Sequence, residues 1–264
     1  MTTDTHLSET VTLTAPAPHV ALVTIQRPEA RNAVNVAVTQ GIARAVDHTE
    51  SDADIWVVVI TGAGGKAFCA GADLKEIAAG RAMSLRTAEG GFAGFTHRAR
   101  AKPWIAAVDG FAFGGGCEIA LACDLIVASR SSVFALPEVK RGLIAGAGGV
   151  YRLARALPRN VALELIATGA ELPAPRAHQF GMVNELAADG EAIAAASVLA
   201  ARICACAPVA VRESLRVARV SADLDDASLH RMTHEAMGRN SQTEDYKEGP
   251  RAFLEKRSPR WVGK

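Results

Sequence analysis

The sequence predicts a layered α/β fold, and two patterns in its first half support that prediction. Apolar runs suited to strands recur, and residues 55–60 form one in which every side chain is apolar, as in a strand covered on both faces. Between such runs, Val38, Ile42, Ala45 and Val46 give one apolar face at helical spacing. Alternating strands and helices are typical of a sheet packed against helices.

The remaining elements of the first half follow in order. Residues 19–25 are predicted to form the first strand, and Asn35 is placed to cap the helix after it. Residues 105–108 form a short apolar strand that leads into a glycine-rich turn. Between these elements, residues 76–102 carry several glycines and arginines without periodicity. That pattern predicts an irregular, mobile segment.

The second half becomes mostly helical after Leu172. Pro208 can begin a helix, with Val211, Leu215 and Ala218 on one face. A further helix is predicted from the spacing of Leu229, Met232, Thr233 and Ala236. We therefore divide the chain into a core of residues 1–202 and a helical part of residues 203–264.

Length and composition set the broad class. A chain of 264 residues forms either one large domain or a core with a small appendage, and 49% apolar residues are enough for a packed core. The formal charge of +1 predicts no nucleic-acid partner, and no apolar run reaches the length of a membrane span. Residues 1–10 lack a basic, apolar leader pattern, which favours a cytoplasmic protein.

The cysteines predict neither disulfides nor a metal site. Their number, five, is odd, and most lie in apolar stretches, as expected for small buried side chains in a reducing compartment. Cys204 and Cys206 are one residue apart, closer than in zinc sites, and no Cys or His cluster follows them.

Residues 110–138 carry the clearest chemical pattern. Three glycines, Gly114 to Gly116, open a short helix, so unpaired N–H groups and the positive end of the helix dipole favour negative charge there. Glu118 and Glu138 both follow or lie within apolar sequence, where a carboxylate is costly unless it has partners or a role. Donors beside two acid/base groups indicate chemistry on a carbonyl compound.

This stretch resembles the signature of the crotonase superfamily, the enoyl-CoA hydratase/isomerase group. Three other segments resemble it in the same order along the chain: residues 27–33, residues 61–75, which include Ala70-Gly71-Ala72-Asp73, and residues 248–257. The resemblance implies a crotonase-like spiral of β-β-α turns with a C-terminal helical oligomerisation subdomain. It also implies a homotrimer, or a hexamer built as a dimer of trimers.

The resemblance also implies the active site. The backbone N–H groups of Ala72 and Gly115 are expected to hold the thioester oxygen of an acyl-CoA as an oxyanion hole. Glu118 and Glu138, twenty residues apart as in the hydratases, are expected to hold one water over the double bond. Coenzyme A would be part of the substrate, with no separate cofactor. The residues expected to contact it are Arg27, Ala30, Ala70, Asp73 and Lys75, with Phe253 and Lys256 from a neighbouring subunit.

Three functions remain open at this point. The first is hydration of a short- or medium-chain enoyl-CoA. The second is another crotonase reaction, such as carnitinyl-CoA-type dehydration or double-bond isomerisation, since the tail and residues 136–142 are similar to carnitinyl-CoA dehydratases. The third is a non-catalytic binding or scaffold protein, against which the intact pair Glu118 and Glu138 argues. Ala145, where many hydratases have proline, leaves the acyl group open.

Overall fold

The structure is a computed structural model, and it describes residues 5–264. The first four residues, on which the expectation of no leader partly rests, lie outside the described residues. The described strands are β1 (Thr5–Ser8), β2 (Val11–Ala17), β3 (Val20–Ile25), β4 (Val57–Gly62), β5 (Ala67–Cys69), β6 (Arg86–Thr87), β7 (Gly91–Phe92), β8 (Trp104–Val108), β9 (Phe111–Phe113), β10 (Leu125–Ser129), β11 (Val133–Ala135), β12 (Leu172–Pro173) and β13 (Glu185–Ala187).

The helices confirm the predicted α/β class. They are α1 (Val36–Ser51), α2 (Leu74–Ala78), α3 (Gly115–Ala122), α4 (Gly149–Ala156), α5 (Arg159–Thr168), α6 (Ala174–Gln179), α7 (Ala192–Cys204), α8 (Pro208–Ala218), α9 (Asp226–Asn240) and α10 (Glu244–Leu254). As predicted, Asn35 caps α1, its side chain accepting a hydrogen bond from the Val38 amide at 2.9 Å. Pro208 is the first residue of α8.

The main sheet has seven strands in the order β1-β2-β3-β4-β8-β10-β13. Its first three strands are antiparallel, and the pairs from β3 onward are parallel. Every residue of β4 is buried. Val58 and Ile60 pack in the cluster that contains α1, whereas Val57 and Val59 pack in the cluster that contains α7. The expectation of a strand covered on both faces is therefore confirmed.

A second sheet carries the spiral. It has the order β12-β11-β9-β5, and β9 runs parallel to both of its neighbours. Along the chain, a strand of the main sheet is followed by a strand of this sheet three times: β4 and β5, β8 and β9, β10 and β11. Helices α2 and α3 follow the first two of these pairs. The spiral of β-β-α turns is confirmed.

The last part of the chain is helical but not only helical. Strands β12 and β13, which the sequence pattern did not predict, add an edge to each sheet. The proposed division after residue 202 falls in the last turn of α7, and it stays a prediction. Within the described range, no single helix is long and apolar enough to cross a membrane; α7 and α8 reach that length only together, bent by 106°.

Candidate active site

The parallel strands of the second sheet bring the predicted residues to one edge. Strand β9 lies between β5 and β11, with Phe111 in register with Ala67 on one side and Val133 on the other. Because these strands run in the same direction, their carboxyl ends meet, and that edge is where ligands bind in α/β sheets. Ala72 follows β5, Gly115 follows β9, and Glu138 follows β11.

Ala72 and Gly115 present backbone donors that no protein group uses. The Val34 amide donates to Gly71 O at 2.8 Å and the Asp73 amide donates to Val34 O at 2.9 Å, so the N–H of Ala72 points out of this bridge. Neither the Ala72 nor the Gly115 amide donates to a protein acceptor within the described residues. Buried backbone donors are normally paired, so a pair left free suits an incoming oxygen.

Glycine is required where these two segments approach each other. Gly71 has φ +90°, and a Cβ placed on it would lie 3.0 Å from the amide nitrogen of Gly115. A Cβ on Gly115 itself would lie 2.4 Å from the ring of Phe92. The Gly115 amide is also the first of α3, at the positive end of the helix dipole. The predicted oxyanion donors therefore lie in adjoining segments.

Glu118 lies one turn into α3 and is only 4% exposed. Its Oε1 accepts hydrogen bonds from the amides of Ala147 (2.7 Å) and Gly149 (2.9 Å). Burial raises the pKa of Glu118, and these two donors and the nearby Arg152 partly offset that effect. These two hydrogen bonds fix the carboxylate of Glu118 through its Oε1 atom.

Glu138 lies in a single 3-10 turn, Pro137–Arg141, directly after β11. Its Oε2 is buried and has no hydrogen-bond partner among the described protein groups. Its Oε1 lies 3.1 Å from the position that a Cβ on Gly114 would take. Burial raises the pKa of Glu138, and the charge of Glu118 raises it further. The two carboxyl groups therefore share one electrostatic environment next to the free amides.

The loop of residues 142–149 has a role that the sequence pattern did not show. Its sequence stands out only by its glycines, yet it supplies both donors to Glu118. A Cβ on Gly149 would lie 3.0 Å from Cγ of Glu118. The guanidinium of Arg152 donates to Ala147 O at 3.0 Å and so holds the same loop. The glycine content was the only signal in the sequence.

Most of the residues expected to contact coenzyme A lie beside this edge. Arg27 forms an ion pair with Asp73 at 3.0 Å, and both are mostly buried. Asp73 also caps α2 through the amide of Lys75, whose side chain is exposed. The amide of Ala70 donates to Arg31 O in the segment that follows Ala30. The charge of Arg27 is therefore compensated within the chain, whereas Lys75 is available.

Phe253 and Lys256 lie at the end of α10, in a separate part of the chain. Phe253 is 83% exposed, and the amide of Lys256 donates to its carbonyl at 3.2 Å. Helix α10 is held by the C-terminal tail: Glu248 binds Arg257, and the amide of Val262 donates to Asp245. In the described residues, no hydrogen bond or ion pair joins α10 to Ala72, Gly115, Glu118 or Glu138.

Two other expectations concern metals and cysteines. Within the described residues, no group of three or more His, Cys, Asp or Glu side chains is arranged to hold a metal ion. All five cysteines are free thiols: Cys69 and Cys117 are buried, Cys123 and Cys204 are half-buried, and Cys206 is exposed. Burial raises the pKa of the Cys69 thiol to about 12.

Comparison with known proteins decides the family. The family model described as enoyl-CoA hydratase/isomerase matches residues 17–264. The chain belongs to the enoyl-CoA hydratase/isomerase family. This confirms the resemblance seen in the sequence, and it makes the protein an enzyme of the crotonase superfamily, whose members act on acyl-CoA thioesters.

Solved structures and curated relatives agree with this family assignment. An enoyl-CoA hydratase from Mycobacterium tuberculosis H37Rv is 45% identical, with 96% of this chain and 99% of that chain covered and a TM-score of 0.91. A carnitinyl-CoA hydratase from Mycobacterium avium is 47% identical, with 97% and 99% covered and a TM-score of 0.75. Carnitinyl-CoA dehydratase from Salmonella typhi is 37% identical over 263 residues, which span 98% of this chain and all of the relative.

Proposed function

We propose that this crotonase-family enzyme is an enoyl-CoA hydratase, which reversibly adds water across the 2,3-double bond of an enoyl-CoA thioester. The observation that carries this proposal is the pair of carboxyl groups, the buried Glu118 and the half-buried Glu138, beside the free amides of Ala72 and Gly115. A single carboxyl group can carry a proton from one carbon to another when a double bond moves, whereas adding water needs one proton taken from the water and one delivered to the α-carbon. The pair therefore favours hydration.

The two amides act on the thioester oxygen. As water attacks the β-carbon, the electrons of the double bond move toward the thioester and charge builds on its oxygen. Donors positioned for that enolate oxygen stabilise the transition state more than the ground state. Loss of one such donor typically costs roughly 2.7–4 kcal/mol. Ala72 and Gly115 would supply these donors.

The two glutamates divide the proton transfers. The amides of Ala147 and Gly149 stabilise the charged form of Glu118, whereas Glu138 has an unpartnered oxygen and faces the charge of Glu118. We assign the resting proton to Glu138. Glu118 then takes a proton from the attacking water, and Glu138 delivers its proton to the α-carbon. One proton is taken and one is given, so the pair is reset by exchange between the two groups.

The oligomeric state, the cellular compartment and the pathway are part of the same proposal. Phe253 and Leu254 are 83% and 81% exposed, although both side chains are large and apolar, and an exposed apolar patch can mark an interface. We propose a homotrimer or a hexamer in which they reach the neighbouring chain, with Phe253 and Lys256 contacting its coenzyme A. We propose a role in cytoplasmic acyl-CoA catabolism, such as β-oxidation. Five free thiols agree with a reducing compartment, and coenzyme A is part of the substrate.

A second candidate is dehydration of carnitinyl-CoA. It is favoured by the names of relatives that are 37% and 47% identical to this chain. Dehydration is the reverse of the same proton transfers, so the glutamates and amides would serve it equally. The two candidates differ in the group at the far end of the acyl chain.

The test is hydration of crotonyl-CoA. The reaction is monitored by the loss of the enoyl-thioester absorbance, and the product is then identified. We expect 3-hydroxybutyryl-CoA from the wild-type enzyme and a rate lower by about 10²–10⁴-fold from Glu118→Gln. A double-bond isomer as the product, or full activity in Glu118→Gln, would overturn the proposal. The exposed substitution Glu171→Gln is the matched control.

A further inference from the structure

The hairpin of β6 and β7 places an arginine beside the candidate site. Arg86 is directly opposite Phe92 in this antiparallel pair, so their side chains lie on the same face. The ring of Phe92 lies against Gly115, one of the two free amide donors. Arg86 therefore lies on the side of the hairpin that faces α3.

The neighbours of Arg86 support this direction. Leu85 is 2% exposed and belongs to the main core, and Thr87 lines a cavity of about 300 Å³ together with Ala43 and Asp47 of α1. Successive side chains of a strand point to opposite faces. Because Thr87 points toward α1, Arg86 points away from α1 and toward the site.

The side chain of Arg86 has no bonded partner among the described residues. Its side chain is exposed and makes no hydrogen bond or ion pair with any described residue. Among the described residues, Arg152 donates only to the carbonyl oxygens of Ala147 and Thr96. The charges of both guanidinium groups lower the pKa of Glu118. The guanidinium of Arg86 is thus free to bind an anionic group next to the site.

We propose that Arg86 forms a subsite for the far end of the acyl chain, and that this subsite takes an enoyl-CoA ending in a carboxylate. A guanidinium binds a carboxylate through two parallel hydrogen bonds, and it repels a cation. The subsite therefore disfavours a terminal trimethylammonium group, as in carnitinyl-CoA. The inference deepens the proposed function and rests on it only for the direction of the acyl chain.

Binding of unreactive, saturated thioesters tests the subsite without catalysis. Calorimetry would compare glutaryl-CoA, butyryl-CoA and γ-butyrobetainyl-CoA, which end in a carboxylate, a methyl group and a trimethylammonium group. We expect the wild-type enzyme to bind glutaryl-CoA about tenfold or more tightly than butyryl-CoA, the typical contribution of a hydrogen bond to a charged group. We expect γ-butyrobetainyl-CoA to bind most weakly.

Two variants and a control complete the experiment. Arg86→Met should abolish the preference for glutaryl-CoA while leaving butyryl-CoA binding within about threefold. Arg86→Lys keeps the charge and should retain part of the preference. The control, Arg81→Met, removes an exposed arginine of the same segment that is already paired with Glu76, and it should change nothing.

The outcomes separate this inference from the proposed function. Equal binding of the three thioesters, or an unchanged preference in Arg86→Met, would refute the subsite even if crotonyl-CoA is hydrated. A preference that depends on Arg86 would support the subsite even if hydration fails. Tightest binding of γ-butyrobetainyl-CoA would contradict the subsite and favour the carnitinyl-CoA reaction.

Discussion

Gly149 holds the carboxylate of Glu118 and leaves no room behind it. Its amide donates to Oε1 of Glu118 at 2.9 Å, while a Cβ on Gly149 would lie 3.0 Å from Cγ of the same side chain. It would also lie 2.9 Å from Leu136. Glycine is therefore needed at position 149 to hold Glu118, the proposed base, in place.

Gly149→Ala should lower the hydration rate without preventing folding. The added methyl group must push Leu136 or Glu118 aside, at a typical cost of about 1–3 kcal/mol in stability. A displacement of Glu118 by a fraction of an ångström should lower kcat by up to about 10²-fold, with KM nearly unchanged. Steady-state kinetics with crotonyl-CoA would show this.

The same loop contains a matched control. A Cβ on Gly146 would meet only Ile144 O, at the ordinary contact distance of 3.7 Å, and Gly146 is exposed. Gly146→Ala should therefore have wild-type kinetics. Equal losses in both variants would mean that the loop tolerates no substitution, and the special role of Gly149 would be wrong.

The two glutamates should act as one unit. Glu118→Gln and Glu138→Gln each remove one titratable group, and each should lower kcat by about 10²–10⁴-fold. The double variant should be little slower than the slower single variant, because losing either group already disables the coupled transfers from the water and to the α-carbon. Additive losses in the double variant would show that the two groups act on separate steps.

The raised pKa of Glu138 predicts a pH-dependent stability. Burial, and then the charge of Glu118, raise this pKa, so ionisation of Glu138 opposes folding. The wild-type protein should lose stability relative to Glu138→Gln as the pH rises from about 4, near the ordinary Glu pKa of about 4.3, through the raised value. Melting temperatures across that range would measure the difference.

The control for this comparison is Glu171→Gln. Glu171 is exposed and forms no ion pair in the described residues. Its difference from wild type should be flat with pH. A flat difference for Glu138→Gln as well would mean that Glu138 ionises as easily in the folded protein as in the unfolded one.

The strands and the first helix could be predicted from local patterns, because burial on two faces leaves a continuous apolar run. The run at residues 55–60 corresponds to β4, shifted by two residues. Asn35 and the apolar face of α1 are as predicted. The two strands β12 and β13 could not be predicted, because they are only two and three residues long and are fixed by their sheet neighbours.

Likewise, only part of the candidate site could be predicted from the sequence. Glu118 and Glu138 stand out in the sequence as charges within apolar stretches. The amide donors of Ala147 and Gly149 carry no side-chain signal, and they reach Glu118 across about thirty residues of sequence. Backbone groups become visible only when the spiral brings the segments together.

The segment of residues 76–102 is predicted to be irregular and mobile, and its second part, although built mostly of turns, packs into the core. Phe92 and Phe95 are buried in the main core, whereas residues 79–84 are exposed. We expect amides of residues 79–84 to exchange hydrogen much faster than those of residues 92–96, because buried, hydrogen-bonded backbone opens rarely. Hydrogen exchange followed by mass spectrometry would resolve the two parts.

The strand β4 supplies the reference for slow exchange. Uniformly slow exchange across the whole segment, at the rate of β4, would contradict the expected mobility of the first part. Uniformly fast exchange would mean that Phe92 does not hold its place against Gly115. The acyl subsite at Arg86 would then lack a fixed support.

The last prediction concerns the neighbouring chain. Phe253 lies on α10 without a bond to the candidate site of its own chain, and it is proposed to stack on the adenine of a substrate bound next door. Phe253→Ala should then raise KM for crotonyl-CoA by roughly tenfold, the usual loss for one aromatic stack on a base. KM for crotonyl-pantetheine, which lacks the adenine, should not change.

Mixed assemblies decide which chain supplies Phe253. Glu118→Gln alone is expected to be nearly inactive, and Phe253→Ala alone is expected to be active with a high KM. When the two variants assemble together, a site with an intact Glu118 always belongs to a chain that lacks Phe253, so only a Glu118→Gln neighbour can supply the ring. Doubly tagged, co-purified assemblies should therefore regain sites with wild-type KM for crotonyl-CoA. If every active site in the mixture keeps the high KM, Phe253 serves its own chain and the proposed shared site is wrong.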